Sequence, residues 1–101
     1  MGFVKAVSVK DLESGHMTGI EVGDKEILLV NLSGEYYAIG NRCTHMGCML
    51  VDGMLDGDKV HCACHGSTFD VKTGSVVKGP AKNPEAFFKV KVEGGQVLVE
   101  V

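Results

Sequence analysis

Two short segments rich in cysteine, histidine and glycine govern the interpretation of this sequence: CTHMGC at residues 43–48 and CACHGS at residues 62–67. The first contains C-x-H and the second C-x-x-H, so each offers one thiol and one imidazole. Soft and borderline donors of this kind bind transition metals when they converge at bonding distance, and glycine-rich loops can bring them together. The two segments therefore predict one metal site shared between two loops.

The residues around these loops alternate between apolar and polar types in short runs separated by glycine, and no longer stretch has a helical period. We therefore expect an all-β fold. The pair Gly94-Gly95 lies between the two clearest runs and predicts a tight turn that closes a hairpin. The predicted strands are 3–9, 19–22, 26–32, 35–39, 59–62, 68–71, 75–77, 87–92 and 96–101.

Length and charge restrict the possible classes of protein. A chain of 101 residues and 10.7 kDa predicts a single domain, 1–101, with its metal-binding part at about 40–84. The net charge is -3 and the basic residues are scattered, which argues against nucleic acid as a partner. The longest apolar runs, such as 27–30, are too short to span a membrane, and the start has no signal-peptide pattern. We expect a soluble, cytoplasmic monomer without membrane insertion.

The segments CTHMGC and CACHGSTFD, followed by TG and GPA, resemble the Rieske iron-sulfur family, and the match is close over residues 43–81. The resemblance implies the Rieske fold of stacked antiparallel sheets with two cluster-binding loops, and one [2Fe-2S] cluster per chain. By position, it places Cys43 and Cys62 on one iron, and His45 and His65 on the other. Two neutral imidazoles in place of two thiolates make the cluster less negative and raise its reduction potential.

Two other interpretations of the same residues stay open at this point. They are ordinary buried cysteines with surface histidines, or a tetrahedral zinc site made by the same four side chains. The extended loop match favours the iron-sulfur interpretation over both.

Cys48 and Cys64 form a second cysteine pair, one in each loop. The resemblance is to those Rieske proteins whose cluster loops are tied by a disulfide at these positions. Closing a loop of about 17 residues would stabilise the fold by about 3 kcal/mol in the chain-entropy estimate. The alternative is a pair of reduced thiols that pack as small apolar side chains.

The resemblance also implies residues that tune the cluster. Ser67 falls where high-potential members place a serine whose hydroxyl donates to a bridging sulfide. Phe69 stands where those members have a tyrosine, so we expect a potential below their highest values. Pro80, in the GPA segment, falls in the loop that covers the cluster in the family, although a plain turn is the simpler alternative.

Three apolar residues of the first loop region have side chains suited to shielding a cluster and to docking a partner. They are Met46, Met49 and Leu50. For Leu50, packing in the protein core is an equal alternative.

The remaining chemistry-bearing residues are interpreted as ordinary surface. His16 and His61 are expected to be surface histidines, so no pair remains for the mononuclear iron of a Rieske oxygenase. Asp52, Asp56 and Asp58 lack the glutamate that a calcium loop requires and are expected to form a polar turn.

The resemblance therefore implies a one-electron carrier rather than an enzyme, passing electrons from a reductase to a terminal oxidoreductase such as an oxygenase. The sequence has no G-x-G-x-x-G segment that would bind a flavin or nicotinamide cofactor. The alternatives are a Rieske subunit of a respiratory or nitrite-reductase-type complex and, from a different class, a zinc-binding interaction module.

Overall fold

The structure is a computed structural model that describes residues 2–44, 47–64 and 66–101. The described residues form eleven strands and two short 3-10 turns, which confirms the all-β prediction. The strands are β1 Phe3–Ser8, β2 Met17–Val22, β3 Lys25–Leu32, β4 Glu35–Gly40, β5 Met54–Asp56, β6 Lys59–His61, β7 Thr68–Asp70, β8 Val76–Lys78, β9 Phe87–Phe88, β10 Val90–Glu93 and β11 Gln96–Glu100; the 3-10 turns are Val9–Asp11 and Leu50–Asp52.

The strands form three antiparallel sheets. The first has the order β1-β11-β10, the second β2-β3-β4-β9, and the third β5-β6-β7-β8. Most neighbours in these sheets are also neighbours in sequence, so the sheets are built largely from hairpins. The exceptions are β1 with β11 and β4 with β9, which bring the end of the chain back to its beginning.

Strand β3 explains why the longest apolar run of the sequence is a strand. Its residues 27–30 are fully buried, although side chains alternate between the two faces of a strand. Leu28 and Val30 belong to one core, and Ile27 and Leu29 belong to another. A strand covered on both faces has no solvent side, so its sequence is continuously apolar rather than alternating.

The two hydrophobic cores lie on opposite faces of β3. The loop-side core contains Leu28, Val30, Ile39, Cys43, Leu50, Val60, Cys62, Phe69, Val71 and Ala81. The hairpin-side core contains Leu12, Ile27, Leu29, Ala38, Val97 and Val99. The second sheet contributes to both, so it lies between the third sheet and the closing hairpin.

The predicted closing hairpin is confirmed, but its first strand is shorter than expected. β10 and β11 pair directly around the Gly94-Gly95 turn. Phe87 and Phe88, however, pair with β4 in the second sheet, and the predicted strand 87–92 divides at Lys89. Because of this division, β9 pairs in the second sheet and β10 pairs in the first. The alternation of apolar and polar residues does not predict this.

The polar turn predicted from Asp52 to Asp58 is wrong over most of its length. Asp52 closes a 3-10 turn, and Met54–Asp56 forms β5, which pairs with β6. Only Gly57 and Asp58 form the turn between these strands. Acidic side chains can lie on a short exposed strand because its partner supplies the backbone hydrogen bonds.

Three connections position the candidate site: residues 41–49 after β4, residues 62–67 between β6 and β7, and residues 79–86 between β8 and β9. They are called the first, second and third loops below. Within the described ranges, no helix has the length and apolar character needed to cross a bilayer.

Candidate metal centre

The first and second loops have the same backbone frame. In the first loop, the N–H of Cys43 donates to the carbonyl of Cys48 over 2.7 Å, and the N–H of Gly47 donates to the carbonyl of Cys43 over 2.7 Å. The second loop repeats both bonds: Cys62 to Ser67 over 2.7 Å, and Gly66 to Cys62 over 3.0 Å. Each loop is thus closed by its own backbone around its leading cysteine.

Glycine is required at the fourth position after the leading cysteine of each loop, Cys43 or Cys62. Gly47 and Gly66 both have φ of 77°, a left-handed conformation that other residues adopt only with strain. The sequence signal for this frame is therefore the glycine that precedes the last residue of each hexapeptide.

The leading cysteines are the buried residues of the two loops. Cys43 is 2% exposed and Cys62 is 3% exposed, and both have free thiols in the loop-side core. Two thiols presented by matched loops from a water-poor core are a suitable half of a metal site, because exclusion of water favours a stable metal-thiolate bond.

The predicted pairing of Cys48 with Cys64 is present as a disulfide bond. The two Cα atoms are 6.5 Å apart, so the bond joins the first loop to the second loop. The Sγ of Cys62 lies within 4.8 Å of both bonded sulfurs. This group of three sulfurs is not a second metal site, because the disulfide sulfurs are not thiolates.

The other two predicted ligands, His45 and His65, lie outside the described residues, and so does Met46. Their assignment as ligands and as a shielding residue stays a prediction from sequence. The histidines that were set aside are described: His16 is exposed, and His61 is partly exposed with its Nδ1 atom 2.8 Å from the Thr68 hydroxyl.

The third loop is fastened to the second loop by Ser67, which is fully buried. The backbone N–H of Ala81 donates to the Ser67 Oγ over 3.0 Å. This bond occupies a lone pair of the hydroxyl and leaves its hydrogen to be donated elsewhere. Within the described residues, no acceptor receives that hydrogen. The neighbouring Pro80 is exposed, and Ala81 is the residue that packs in the core.

Phe69 and Leu50 are both fully buried in the loop-side core with the two cysteines. Phe69 is therefore in position to affect the surroundings of the cysteine sulfurs, as the resemblance implies. For Leu50, core packing is the role that the structure shows, and Met49 is partly exposed beside it.

Sequence reasoning missed the residues that anchor the first loop. Asn41 is buried, and its side-chain oxygen accepts the N–H of Val51 over 3.0 Å. Arg42 donates to the carbonyl of Gly47 over 3.0 Å and pairs with Glu26. An asparagine directly after a strand is a weak signal for such an anchor, because asparagine side chains commonly bond to nearby backbone.

Glu85 in the third loop was also missed. It is buried, and burial raises the pKa of its carboxyl to about 7, although a hydrogen bond from the backbone N–H of Thr44 opposes the shift. Thr44 lies between Cys43 and His45, so this carboxyl contacts the first loop beside two predicted ligands. No sequence signal predicts its burial, since glutamate in a loop is ordinarily exposed.

Comparison with known proteins identifies the family. Residues 2–97 match the family model described as the Rieske [2Fe-2S] domain. This chain belongs to the Rieske [2Fe-2S] domain family. The cofactor is accordingly a [2Fe-2S] cluster, and the predicted fold and family resemblance are confirmed. The zinc and ordinary-cysteine alternatives are set aside.

Two curated relatives show how this Rieske domain occurs. Apoptosis-inducing factor 3 from Homo sapiens is 41% identical over 91 residues, which cover 90% of the chain but only 15% of that protein. The ferredoxin component of biphenyl 2,3-dioxygenase from Rhodococcus jostii (strain RHA1) is 39% identical over 101 residues, covering 100% of the chain and 94% of the relative. The chain thus spans a small part of the first relative and nearly all of the second.

Two solved structures have the same fold. The ferredoxin of carbazole 1,9a-dioxygenase from Nocardioides aromaticivorans IC177 has a TM-score of 0.93 and 29% identity, covering 98% of this chain and 97% of that one. A chain from the complex of reduced oxygenase and oxidized ferredoxin in carbazole 1,9a-dioxygenase has a TM-score of 0.91 and 32% identity, covering 96% and 91%. Both matches extend over nearly the whole chain.

The described residues fit a [2Fe-2S] cluster. The two buried thiols lie on loops with the same backbone hydrogen bonds, which makes them a suitable pair of thiolate donors. The buried Ser67 hydroxyl has a hydrogen without an acceptor in the described part of the chain, and the sulfide of a cluster is a suitable acceptor.

Proposed function

We propose that this Rieske domain is a one-electron carrier and not an enzyme. Cys43 and Cys62 hold one iron of its cluster, and His45 and His65 hold the other. It accepts electrons from a reductase and delivers them to a terminal oxidoreductase such as an oxygenase. Residues 1–101 act as one domain, with the cluster-binding part at about 40–84, and work as a cytoplasmic monomer.

The matched frame of the first and second loops is the observation that carries this proposal. Each frame buries one cysteine and fixes it through two backbone hydrogen bonds. The disulfide and the Ser67 contact with Ala81 join all three loops. A site held in this way changes little in geometry when its charge changes, which suits a group that only gains and loses an electron.

Each residue has a defined task in this proposal. When bound, the cluster supplies a centre that is reduced and reoxidised by one electron. Cys43 and Cys62 anchor it from the core and exclude water from its buried side. The Ser67 hydroxyl favours the more negative reduced state by donating a hydrogen bond.

The exposed tips of the loops are the surface through which electrons enter and leave. Cys64, Gly66 and Pro80 are exposed at this end of the molecule. The relatives named as ferredoxin components and the solved ferredoxin complex with an oxygenase support a protein acceptor of this kind. Electron transfer requires close approach, so the acceptor docks on the three loops.

The disulfide favours a second candidate function. Disulfide-bearing loops resemble the respiratory branch, so the chain is alternatively a Rieske subunit of a respiratory or nitrite-reductase-type complex. The reduction potential separates the candidates: a respiratory role predicts a value near the upper end of the Rieske range of roughly -150 to +300 mV, and an oxygenase carrier predicts a value near the lower end.

Substitution of each ligand, with matched controls from the same chain, tests the proposal. Cys43→Ala, Cys62→Ala, His45→Ala and His65→Ala should each abolish the visible absorption and the iron content. His16→Ala and His61→Ala remove a histidine without removing a ligand, and they should retain both. A ligand variant that keeps the full cluster, or a control that loses it, contradicts the assignment.

Electron transfer is then measured with the loaded protein. The rate of its reduction by a ferredoxin reductase, and of its reoxidation by a Rieske oxygenase, is followed anaerobically by absorbance. Reduction and reoxidation of one electron per chain support the carrier role. Failure of the loaded protein to exchange electrons with any such pair contradicts it.

A further inference from the structure

The segment from Asn83 to Glu85 contacts Thr44 of the first loop at two points. The Thr44 hydroxyl donates to the carbonyl of Asn83 over 2.6 Å. A hydrogen bond from the backbone N–H of Thr44 also lowers the pKa of the Glu85 carboxyl, against the larger effect of burial. Thr44 is the only residue between the proposed ligands Cys43 and His45, so the third loop contacts the first loop where it carries both of its ligands.

Glu85 itself is rigidly placed. Its backbone N–H donates to the carbonyl of Gly74 over 2.8 Å. Gly74 approaches so closely that a Cβ there would lie 2.5 Å from the Glu85 carbonyl oxygen. On the other side, a Cβ on Gly40 would lie 2.5 Å from the Glu85 Oε1. Two glycines thus make room for this residue, one at its backbone and one at its carboxylate.

Burial of the Glu85 carboxyl at this position destabilises the fold. Glu85 is only 7% exposed, and its Oε2 has no hydrogen-bond partner in the described part of the chain. Burial accordingly raises the pKa of this carboxyl to about 7. An apolar side chain of similar size would be buried at lower cost. The carboxyl therefore lowers the stability of the fold, while it supplies an acceptor to the first loop.

We propose that Glu85 is a positioning residue for the cofactor: by accepting the Thr44 N–H, it fixes the backbone at Thr44, between the proposed ligands Cys43 and His45, and so helps the first loop to retain the cofactor. The inference rests on the ligand assignment proposed above. Glu85 touches no iron in this proposal and acts only through Thr44. Its loss should weaken retention of the cluster more than it weakens the fold.

Two neutral variants of similar length separate positioning from general stability. Glu85→Gln keeps an acceptor oxygen, whereas Glu85→Met keeps the volume and removes the acceptor. Three quantities are measured for each loaded protein: the unfolding free energy, the rate at which an iron chelator bleaches the visible absorption, and the reduction potential. The control Val99→Ala destabilises the hairpin-side core, which among the described residues contains none from the three loops.

We expect Glu85→Met to affect the stability of the fold and the retention of the cluster differently. Glu85→Met should unfold at no lower denaturant concentration than the wild type, yet release its cluster about fivefold faster, as loss of one hydrogen bond predicts, with a shifted potential. Glu85→Gln should release it at close to the wild-type rate. Equal release rates and potentials for the Gln and Met variants, or a release rate in every variant that follows its unfolding free energy, overturn the inference.

A measurement on the unsubstituted protein covers the case in which Glu85→Met does not fold. Thr44 is an exposed residue, so its amide hydrogen exchanges slowly only if the Glu85 carboxylate accepts it. Slow exchange, read by mass spectrometry of the loaded protein, supports the inference, and exchange at the rate of a free amide overturns it. If the wild type holds no iron or sulfide, the proposed function fails instead, which is a different result.

Discussion

The N–H of Ala81 donates to the buried Oγ of Ser67 over 3.0 Å, and this bond joins the third loop to the second. The contact gives Ser67 two tasks. It accepts from the protein on one side, and its hydrogen remains available for the cluster on the other.

Ser67→Ala should therefore change both stability and potential. It leaves the Ala81 N–H buried without a partner, which costs about 1–3 kcal/mol of unfolding free energy. It also removes a donor that favours the reduced cluster, so the potential should fall. Denaturant unfolding and voltammetry measure the two effects. The control Ser75→Ala alters an exposed serine and should change neither; a potential that is the same in Ser67→Ala and the wild type contradicts the prediction.

Phe69→Tyr should raise the potential. Phe69 is fully buried in the loop-side core beside Cys43 and Cys62, so an added hydroxyl can reach a ligand sulfur and stabilise the more negative reduced state. Phe88→Tyr is the matched control, since Phe88 packs against the hairpin-side core. Voltammetry should show a shift for the first variant alone. A lowered or unchanged potential in Phe69→Tyr would refute this account of the residue.

Removal of the disulfide should weaken the loops without removing a ligand. Cys48→Ala combined with Cys64→Ala should lower the unfolding free energy by about 3 kcal/mol, because the unfolded chain regains the freedom of a closed loop. The cluster should still assemble and should be released faster to a chelator. Treatment of the wild type with a disulfide reductant should give the same behaviour. A double variant that never acquires iron would mean that one of these cysteines is a ligand.

The stability of the fold should depend on pH through Glu85. Burial raises the pKa of this carboxyl from its ordinary value of 4.5 to about 7. Between these values the folded protein keeps a proton that the unfolded chain has released, so stability falls as pH rises and is lowest above the folded pKa. The unfolding free energy of the wild type relative to that of Glu85→Gln should therefore fall by about 1–3 kcal/mol from pH 4.5 to above pH 7. A difference that is constant with pH argues against a buried titrating carboxyl.

The sequence predicts those features of the fold that depend on local pattern. Alternation places most strands within a few residues of their observed bounds, and Gly94-Gly95 fixes the closing turn. The short strand Met54–Asp56 escapes prediction because aspartate and glycine around it have turn chemistry, and its strand character comes only from pairing with β6. The division of the predicted strand 87–92 at Lys89 could not be predicted either, because a local sequence pattern does not show which sheet a strand joins.

The candidate site likewise has some residues that the sequence predicts and others that it does not. Its cysteines, its glycines and the disulfide pair follow from loop sequences that resemble a known family. Asn41 and Glu85 do not, because their roles come from burial against segments distant in sequence. A glutamate in a loop is predicted to be solvated, and only the tertiary structure places Glu85 under Thr44.

The central claim is that one [2Fe-2S] cluster is held by two cysteines at one iron and by two histidines at the other. The most direct test is pulsed electron paramagnetic resonance of the reduced protein with isotope-labelled histidine, combined with iron and sulfide analysis. The account predicts about two irons and two acid-labile sulfides per chain, with coupling from the nitrogens of two histidines in the reduced protein. A reduced cluster without histidine nitrogen coupling, or a protein that contains neither iron nor sulfide, would contradict it.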